Sequence, residues 1–345
     1  MERSERQPAP VVAAFGEFVL RLHSSNNQRF IQTVGYDAYY GGAEANVCVL
    51  LSRLGNKTEY ISRVPANDLA YAGIQQLKAH GVGTSLMQFG GDILGMYFTE
   101  SGNHLRSSRV IYNRSGSAFA TLQPGTINWH ELLKNSQYFH WSGVSAAISA
   151  SAAAVCQEAI TAALNLGITI SADFNYRSTL WQYGEKPSAV MPALLHQSKI
   201  VVADLDSAEL YFGIATNKNS SLPDRFKVCC DALLKKIPFM EYLGMSFRST
   251  TGLTHSYSGA LMAHGKYFFY EGFQLPYVTD QIGSGDAFTA GLLHGIINNV
   301  ADDQLLPFAV ACGALKQSIM GDWALISNEE VQQFIHTGSS GRIVR

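Results

Sequence analysis

Short apolar runs alternate with longer helical patterns along most of this chain, and that alternation limits the folds open to it. Residues 11–15 (VVAAF) and 58–64 (TEYISRV) have the length and composition of buried strands. Residues 43–55 and 68–81 carry helical spacing, and each stretch ends on a glycine, as helices often do. The pattern continues through strands at 137–143, 168–174 and 199–205. Such an order favours a mostly parallel sheet covered by helices, so we predict an α/β fold.

Two segments depart from this rhythm. Residues 17–42 and 95–119 alternate polar and apolar side chains, as exposed antiparallel strands do. We expect them to pair as a small β lid, built from about residues 17–40 and 95–119. No Gly-, Ser- or Pro-rich linker divides the chain, so we predict a single domain over residues 1–345.

Composition excludes several classes of protein. The 25 Lys and Arg residues nearly balance the 27 Asp and Glu residues, so no charge excess indicates nucleic acid or an anionic membrane as a partner. The five cysteines lie in apolar surroundings without C-x-x-C spacing, which predicts buried, reduced thiols. The apolar run at 11–15 is too short for a signal peptide or a membrane span. We therefore expect a cytoplasmic protein.

The turn before the helix near residue 286 carries an unusual set of residues. Gly283, Ser284 and Gly285 precede Asp286, after which apolar residues recur with helical spacing. The free N–H groups of a helix start bind anions, and glycines let an anion approach the backbone closely. A carboxylate beside a phosphate is suited to accepting a proton from an attacking hydroxyl, which describes phosphoryl transfer. The alternative is a tight turn in which Asp286 caps its own helix.

Other nucleotide-binding motifs are absent from the sequence. The chain contains no G-x-x-x-x-G-K-[ST] and no G-x-G-x-x-G. The histidines form no H-E-x-x-H motif and no cluster with cysteine, so a transition metal held by the protein is not expected. ATP would have to bind through a different architecture.

Two separated motifs resemble those of a known family. DQIGSGDAF (280–288) resembles the C-terminal D-x-x-G-A/G-G-D-x-F motif of the ribokinase (PfkB-type) carbohydrate kinases, and YGGAEANVCVLLSRLG (40–55) resembles their N-terminal motif. Segments at 110–118, 173–181 and 311–327 look closest to the 2-keto-3-deoxygluconate kinases. The resemblance covers nearly the whole chain and implies a three-layer α/β/α ribokinase-like fold with a small β-sheet lid.

The resemblance also implies roles for individual residues. Asp286 would be the catalytic base, and Gly283, Ser284 and Gly285 would offer N–H groups to the γ-phosphate. The residues expected to bind a sugar acid are Gly42, Asn46, Tyr97, Tyr112, Arg114 and Arg177, with the two arginines gripping its carboxylate. The residues expected at ATP are Ser246, Arg248, Gly285, Ala311 and Lys316.

The region expected to surround Mg²⁺ departs from the family pattern. The family's Asn-x-x-Glu element falls near residues 201–210, where Asp204 and Ser207 stand at the Asn and Glu positions. Asp206 or Glu209 are candidate substitutes, so the metal ligands stay unassigned.

The sequence thus predicts a Mg²⁺-dependent kinase that transfers phosphate from ATP to a hydroxyl of 2-keto-3-deoxygluconate or a related sugar acid. Alternatives are a fructokinase or other neutral-ketose kinase, a non-catalytic sugar- or nucleotide-binding regulator, and a dinucleotide oxidoreductase. Retention of Asp286 argues against the regulator, and the missing glycine fingerprint argues against the oxidoreductase. Exposed lid edges need covering, so a homodimer joined through the lids is expected.

Overall fold

The computed structural model describes residues 9–102, 106–252 and 254–338. Its strands are β1 (Val11–Phe15), β2 (Val19–Ser24), β3 (Tyr36–Gly41), β4 (Lys57–Ile61), β5 (Arg63–Val64), β6 (Gln88–Phe89), β7 (Gly95–Glu100), β8 (Arg109–Asn113), β9 (Tyr138–Ser142), β10 (Thr169–Asp173), β11 (Ile200–Ala203), β12 (Tyr242–Thr251), β13 (Thr254–Ala263) and β14 (Lys266–Leu275). Its α-helices are α1 (Ala43–Arg53), α2 (Asp68–Ala79), α3 (Trp129–Leu133), α4 (Gly143–Ala147), α5 (Ala150–Asn165), α6 (Pro187–Leu195), α7 (Leu205–Phe212), α8 (Leu222–Leu234), α9 (Ser284–Ile297), α10 (Asp302–Lys316) and α11 (Asn328–Thr337). A short 3₁₀ helix, Ser25–Asn27, follows β2.

Eight strands form the main sheet in the order β14-β13-β12-β11-β10-β9-β1-β4. The pairs from β4 to β12 are parallel, and β13 and β14 add an antiparallel edge. The predicted α/β fold with a mostly parallel sheet is confirmed.

The first strand shows why the sheet is covered on both faces. Successive side chains of a strand point to opposite faces. Ala13 and Phe15 pack in one apolar core with Trp141, whereas Val12 and Ala14 pack in two cores on the other face. All five side chains are fully buried. A run without polar residues is what a central parallel strand between two helix layers requires.

The two segments with alternating polar and apolar residues, 17–42 and 95–119, form a separate four-stranded sheet in the order β3-β2-β7-β8. Each segment makes an antiparallel hairpin, but the hairpins join through a parallel pairing of β2 with β7. The expectation of a purely antiparallel sheet is therefore wrong, because the chain returns to the main sheet through α1, β4 and α2 before β7, and such a crossover permits parallel pairing. Residues 103–105 of the second segment, and both ends of the predicted domain, lie outside the described residues.

Several element boundaries differ slightly from the predictions. Helix α1 ends at Arg53, since Gly55 with φ of 89° turns the chain out of the helix. The predicted strand at 58–64 is divided into β4 and β5, and β5 pairs with β6 in a small sheet of its own.

The remaining compositional expectations concern thiols and membranes. All five cysteines are buried and free, as predicted. In the part of the chain that the structure describes, no helix has both the length and the apolar character needed to cross a lipid bilayer.

Candidate active site

A cavity of about 1240 Å³ is lined by both sheets and by the start of α9. The main sheet contributes the carboxyl ends of β10 and β11, where ligands bind in open α/β sheets. The four-stranded sheet contributes residues of β2, β7 and β8. Of the residues predicted for the site, those that line the cavity are Gly42, Asn46, Tyr97, Tyr112, Arg114, Arg177, Ser246, Arg248, Gly283, Ser284, Gly285 and Asp286.

The turn before α9 leaves open space at the helix start. Gly283 has φ of 82°, and a side chain there would collide with the carbonyl oxygen of Asp322. At Gly285 a Cβ would meet no described protein atom within 4 Å, so protein packing does not require a glycine there. The buried Oγ of Ser284 has no hydrogen-bond partner among the described residues. Such groups normally find a partner, so this turn has the properties of an anion-binding site.

Asp286 lies in the first turn of α9 but does not cap it. The N-cap residue is Gly283, which makes no side-chain capping bond. The Asp286 carboxyl is 9% exposed, and its Oδ2 accepts a hydrogen bond of 2.6 Å from Asn46 Nδ2. Burial raises the pKa of Asp286 to about 6, while the Asn46 hydrogen bond and the charge of Arg177 oppose the rise. A carboxyl with this pKa is largely ionised at neutral pH and close to the range that suits a general base.

The N-terminal motif brings α1 to the same point. Gly42 has φ of 139°, and its Cβ would collide with the carbonyl oxygen of Glu17, so only glycine fits. Asn46 donates to Asp286, but its own Oδ1 is buried without a partner in the described part of the chain. That oxygen is available to accept a hydrogen bond from a ligand hydroxyl.

Asp173, at the end of β10, is a cavity residue that sequence reasoning missed. Burial and the charge of Asp286 raise its pKa to about 8. Its Oδ2 accepts a hydrogen bond of 3.3 Å from Thr289 of α9. The sequence does carry a signal for this residue, since Asp173 is a carboxyl at the end of an apolar strand, two residues before Asn175.

Arg114 is held at the lid side of the cavity by a buried acid. Its Nε donates to Glu17 Oε2 at 2.5 Å, and Ser117 Oγ donates to the other oxygen of Glu17. Burial disfavours the charge on Arg114, but Glu17 outweighs that effect and raises the pKa of the guanidinium. The terminal nitrogens of Arg114 make no hydrogen bond to any described residue. They are therefore available to a ligand carboxylate.

A second buried arginine joins the four-stranded sheet to the segments on either side of α9 and α10. Arg21 Nη1 lies 2.6 Å from Asp280 Oδ2 and 3.2 Å from Asp322 Oδ1. The hydroxyl of Tyr97 donates to the other oxygen of Asp322. Burial opposes the charge of Arg21, but Asp322 and Asp280 together raise its pKa. Asp280 belongs to the motif recognised in the sequence, whereas Arg21 carried no local signal.

Ala311 and Lys316, both predicted at ATP, do not line the cavity. Both side chains are 0% exposed. Ala311 packs in the apolar core between α9 and α10 with Ala287 and Leu293. The structure thus places both side chains away from the cavity wall, and their predicted role at ATP stays a prediction.

The candidate metal residues divide into two groups. Asp204 lines the cavity and also caps α7, since its Oδ1 accepts a hydrogen bond of 2.8 Å from Ser207 N. Asp206 lines the cavity, whereas Glu209 lies on a different surface with Pro192. Within residues 9–102, 106–252 and 254–338, no group of three or more His, Cys, Asp or Glu side chains is arranged to hold a metal ion.

Comparison with known proteins agrees with this geometry. The sequence profile described as pfkB family carbohydrate kinase matches residues 12–322. A 2-dehydro-3-deoxygalactonokinase of Haloferax volcanii is 26% identical, with 96% of this chain and 98% of the relative aligned. The crystal structure of a 2-dehydro-3-deoxygluconokinase from Thermotoga maritima superposes with a TM-score of 0.88 at 26% identity, covering 95% of this chain and 99% of that one. A pfkB family carbohydrate kinase from Listeria grayi is 32% identical, with a TM-score of 0.86 over 94% of this chain and 99% of its own.

This chain belongs to the pfkB family of carbohydrate kinases. It has the ribokinase-like α/β fold of its structural neighbours, as the sequence predicted, and it is a sugar kinase.

Replacing Gly285 with Ala tests whether the open space over α9 serves the reaction. Since a methyl group there meets no described protein atom, and Ala favours a helix by roughly 0.5–1 kcal/mol over Gly, we expect an unchanged or higher free energy of unfolding. We expect turnover to fall roughly a hundredfold, because the added methyl group would fill the space proposed for the phosphate and keep it from the backbone donors of the turn. Urea unfolding and steady-state kinetics measure both quantities.

Gly291→Ala is the matched control on the same helix. Its methyl group would lie 2.9 Å from Ala309 Cα, so we expect a loss of roughly 1–3 kcal/mol in stability instead. Full turnover by Gly285→Ala would show that no ligand occupies the space over the helix start.

The pH dependence of kcat/KM tests the role of Asp286. Because a protonated carboxyl cannot accept a proton, the rate should fall as pH drops through about 6. The Asn46 hydrogen bond stabilises the charged carboxylate, so Asn46→Ala should move this decline to higher pH. Asp173→Asn should leave the decline in place, because the raised pKa of Asp173 keeps that carboxyl mostly protonated at neutral pH. A decline that does not move in Asn46→Ala would show that a different group titrates.

Proposed function

We propose that this kinase transfers the γ-phosphoryl group of ATP to the terminal hydroxyl of 2-keto-3-deoxygluconate or a closely related sugar acid. The observation that carries the proposal is the Asp286 carboxyl. It is buried, linked to Asn46, and placed beside a helix start whose amides and open space suit a phosphate.

The proposed reaction has one step at phosphorus. The sugar hydroxyl oxygen forms a bond to the γ-phosphorus, the bond from that phosphorus to the β-phosphate oxygen breaks, and ADP leaves. Asp286 takes the proton of the hydroxyl. The backbone N–H groups of Gly283, Ser284 and Gly285 would donate to the charge on the transferring group, and that of Ser284 would leave the Gln281 carbonyl oxygen, to which it donates at 3.3 Å, to do so. Closure of the four-stranded sheet over the cavity would exclude water that would otherwise hydrolyse ATP.

The preference for an acid is supported by two arginines on the cavity wall. The terminal nitrogens of Arg114 match the fork that binds a carboxylate through two parallel hydrogen bonds. Arg177 adds a second cation, and Tyr97 and Tyr112 pack as a ring pair with centroids 6.0 Å apart. The Haloferax volcanii and Thermotoga maritima relatives bear the names of kinases for deoxy sugar acids.

ATP is proposed to lie beside β12, where Ser246 and Arg248 line the cavity. Mg²⁺ usually binds one or two carboxylates together with substrate phosphates rather than a complete protein cage, and Asp206 offers a carboxylate of that kind. The ion would neutralise phosphate charge when bound. Asp206 takes the place of the Glu that the family pattern expects at position 207.

The four-stranded sheet is proposed to act as a lid and as a dimer interface. Tyr97, Tyr112 and Arg114 bring it to the cavity wall. The connection between its strands β2 and β3 exposes large apolar side chains, Ile31 at 89% and Val34 at 100%, and such surfaces mark contact sites. Light scattering at micromolar concentration should give the mass of a dimer, and a monomer would remove this part of the proposal.

We also propose a cytoplasmic location, since five free buried thiols suit a reducing compartment. Cell fractionation tests this assignment, and recovery of the protein outside the cytoplasmic fraction would contradict it.

A neutral ketose is the second candidate substrate, favoured by one observation. Glu17 already neutralises Arg114 at 2.5 Å, so this arginine is not an unpaired cation awaiting an acid. A kinase for fructose or another neutral ketose would use the same base and the same anion site.

A coupled ADP-release assay across sugar acids and neutral ketoses separates the two candidates. For Arg114→Lys, which keeps a cation for Glu17 but loses the fork, we expect the KM for the sugar acid to rise about tenfold with little change in kcat. The KM for any neutral ketose should stay constant. The control is Arg63→Lys, because Arg63 Nη1 donates to the Ala118 carbonyl oxygen away from the cavity. This variant should leave kcat and every KM unchanged. Equal turnover of neutral and acidic sugars by the wild type, with no effect of Arg114→Lys, would assign the neutral ketose.

A further inference from the structure

Lys316 is a buried cation that the proposed chemistry does not use. It is the last residue of α10, and its side chain is 0% exposed. The side chain runs beneath the turn that precedes α9, since a Cβ at Gly283 would lie 3.3 Å from Lys316 Cε. The ammonium group therefore lies under the turn proposed to receive the phosphate, and outside the cavity itself.

Backbone carbonyl groups hold the ammonium in place. Its Nζ donates to the carbonyl oxygen of Ile319 at 3.0 Å and to that of Asp280 at 3.3 Å. No carboxylate of the described residues lies within ion-pair distance of it. Convergent carbonyl oxygens are also the ligands that bind a monovalent metal ion in place of its water shell. Lys316 thus fills, with its own side chain, a position that would suit such an ion.

Burial makes this arrangement costly. Moving an ammonium out of water is unfavourable when no carboxylate pairs with it directly. Burial lowers the pKa of Lys316, and the charges of Asp280 and Asp322 act against that change. The position at the C-terminus of α10 adds a favourable helix-dipole term. Since an apolar side chain would avoid the desolvation cost, the charge itself calls for an explanation.

The surrounding charges supply one. Three carboxylates lie around the turn, those of Asp280, Asp286 and Asp322, and Arg21 pairs with two of them. Without Lys316, the two cations Arg21 and Arg177 would face three acids at a site that must accept an anion. Charges interact over several ångströms in a medium of low dielectric constant, so an ammonium beneath the turn acts on a phosphate above it.

We propose that Lys316 is a positioning residue that serves as a built-in monovalent cation beneath the Gly283–Asp286 turn. It ties the carbonyls of Asp280 and Ile319 together and offsets the acidic field at the phosphate. This inference rests on the proposed phosphoryl transfer, and it implies that the kinase needs no added monovalent ion for activity.

The test compares variants in a buffer whose only monovalent cation is tetramethylammonium, which is too large to enter the position. Lys316→Ala removes the charge and leaves space, and Lys316→Met removes the charge but keeps most of the volume. Lys78→Ala is the matched control, because Lys78 also lies in the last turn of a helix but is exposed. Turnover and the thermal midpoint Tm are measured with and without added K⁺, NH₄⁺ or methylammonium.

We expect wild type and Lys78→Ala to give the same turnover, within about twofold, with every cation. Both Lys316 variants should lose roughly ten- to a hundredfold in kcat, less than the loss of a direct donor to the phosphate. Small cations should restore Lys316→Ala and raise its Tm, whereas Lys316→Met should not respond because its side chain occupies the space.

Three results would overturn the inference. They are full turnover by Lys316→Met, a Lys316→Ala protein that no cation restores or stabilises, and a wild type that K⁺ stimulates tenfold or more. The wild-type measurement needs no variant and decides the matter even if both variants fail to fold. If wild type phosphorylated none of the sugars, that result would refute the proposed function. The inference about Lys316 would still be tested in that case, because the Tm measurement needs no substrate.

Discussion

The hydrogen bond between Asn46 and Asp286 joins two helix starts that lie 240 residues apart in the chain. It requires two helices to begin at the same point, although α1 follows β3 of the small sheet and α9 follows β14 at the antiparallel edge of the main sheet. Gly42 and Gly283 both adopt backbone conformations with positive φ at positions where a side chain would collide with a backbone carbonyl. The rest of the site is arranged around this bond, because it orients the only group proposed to move a proton.

Buried ion pairs hold the small sheet at two further points, one to residues beside α9 and one to the connection between β1 and β2. Arg21 of the small sheet contacts Asp280 and Asp322, and Arg114 contacts Glu17. Removing one partner of such a pair typically costs about 3–5 kcal/mol, so these contacts constrain how the small sheet sits over the cavity. These pairs also keep two arginines next to the cavity, each bound to its own carboxylate partners. Arg114 is therefore proposed to serve both packing and ligand recognition.

Much of the fold followed from local pattern. The apolar run at 11–15 and the helical spacing at 43–55 correspond to β1 and α1, and the turn at Gly283 precedes a helix that begins at Ser284. These features depend on residues close in sequence. The pairing of Glu17 with Arg114 spans 97 residues, and no local signal reports which acid a given arginine will meet.

The positions of Lys316 and Ala311 also could not be predicted from residues close to them in the sequence. A lysine near a helix end is usually solvated, and an alanine is compatible with a core or a cleft, so their placement depends on which face α10 turns toward α9. Asp173 owes its place in the site to the packing of β10 against α9, which no residue near it in the sequence reports. In each case the missing information was the packing of whole elements.

The most direct measurement is single-turnover phosphoryl transfer and equilibrium ligand binding by Asp286→Asn. The account predicts that ATP and sugar still bind within a few fold of wild type, because the amide preserves the shape of the site. The chemical step should slow by roughly 10²- to 10⁴-fold, since the amide cannot accept the proton. Near wild-type transfer by this variant would contradict the assignment of Asp286 as the base.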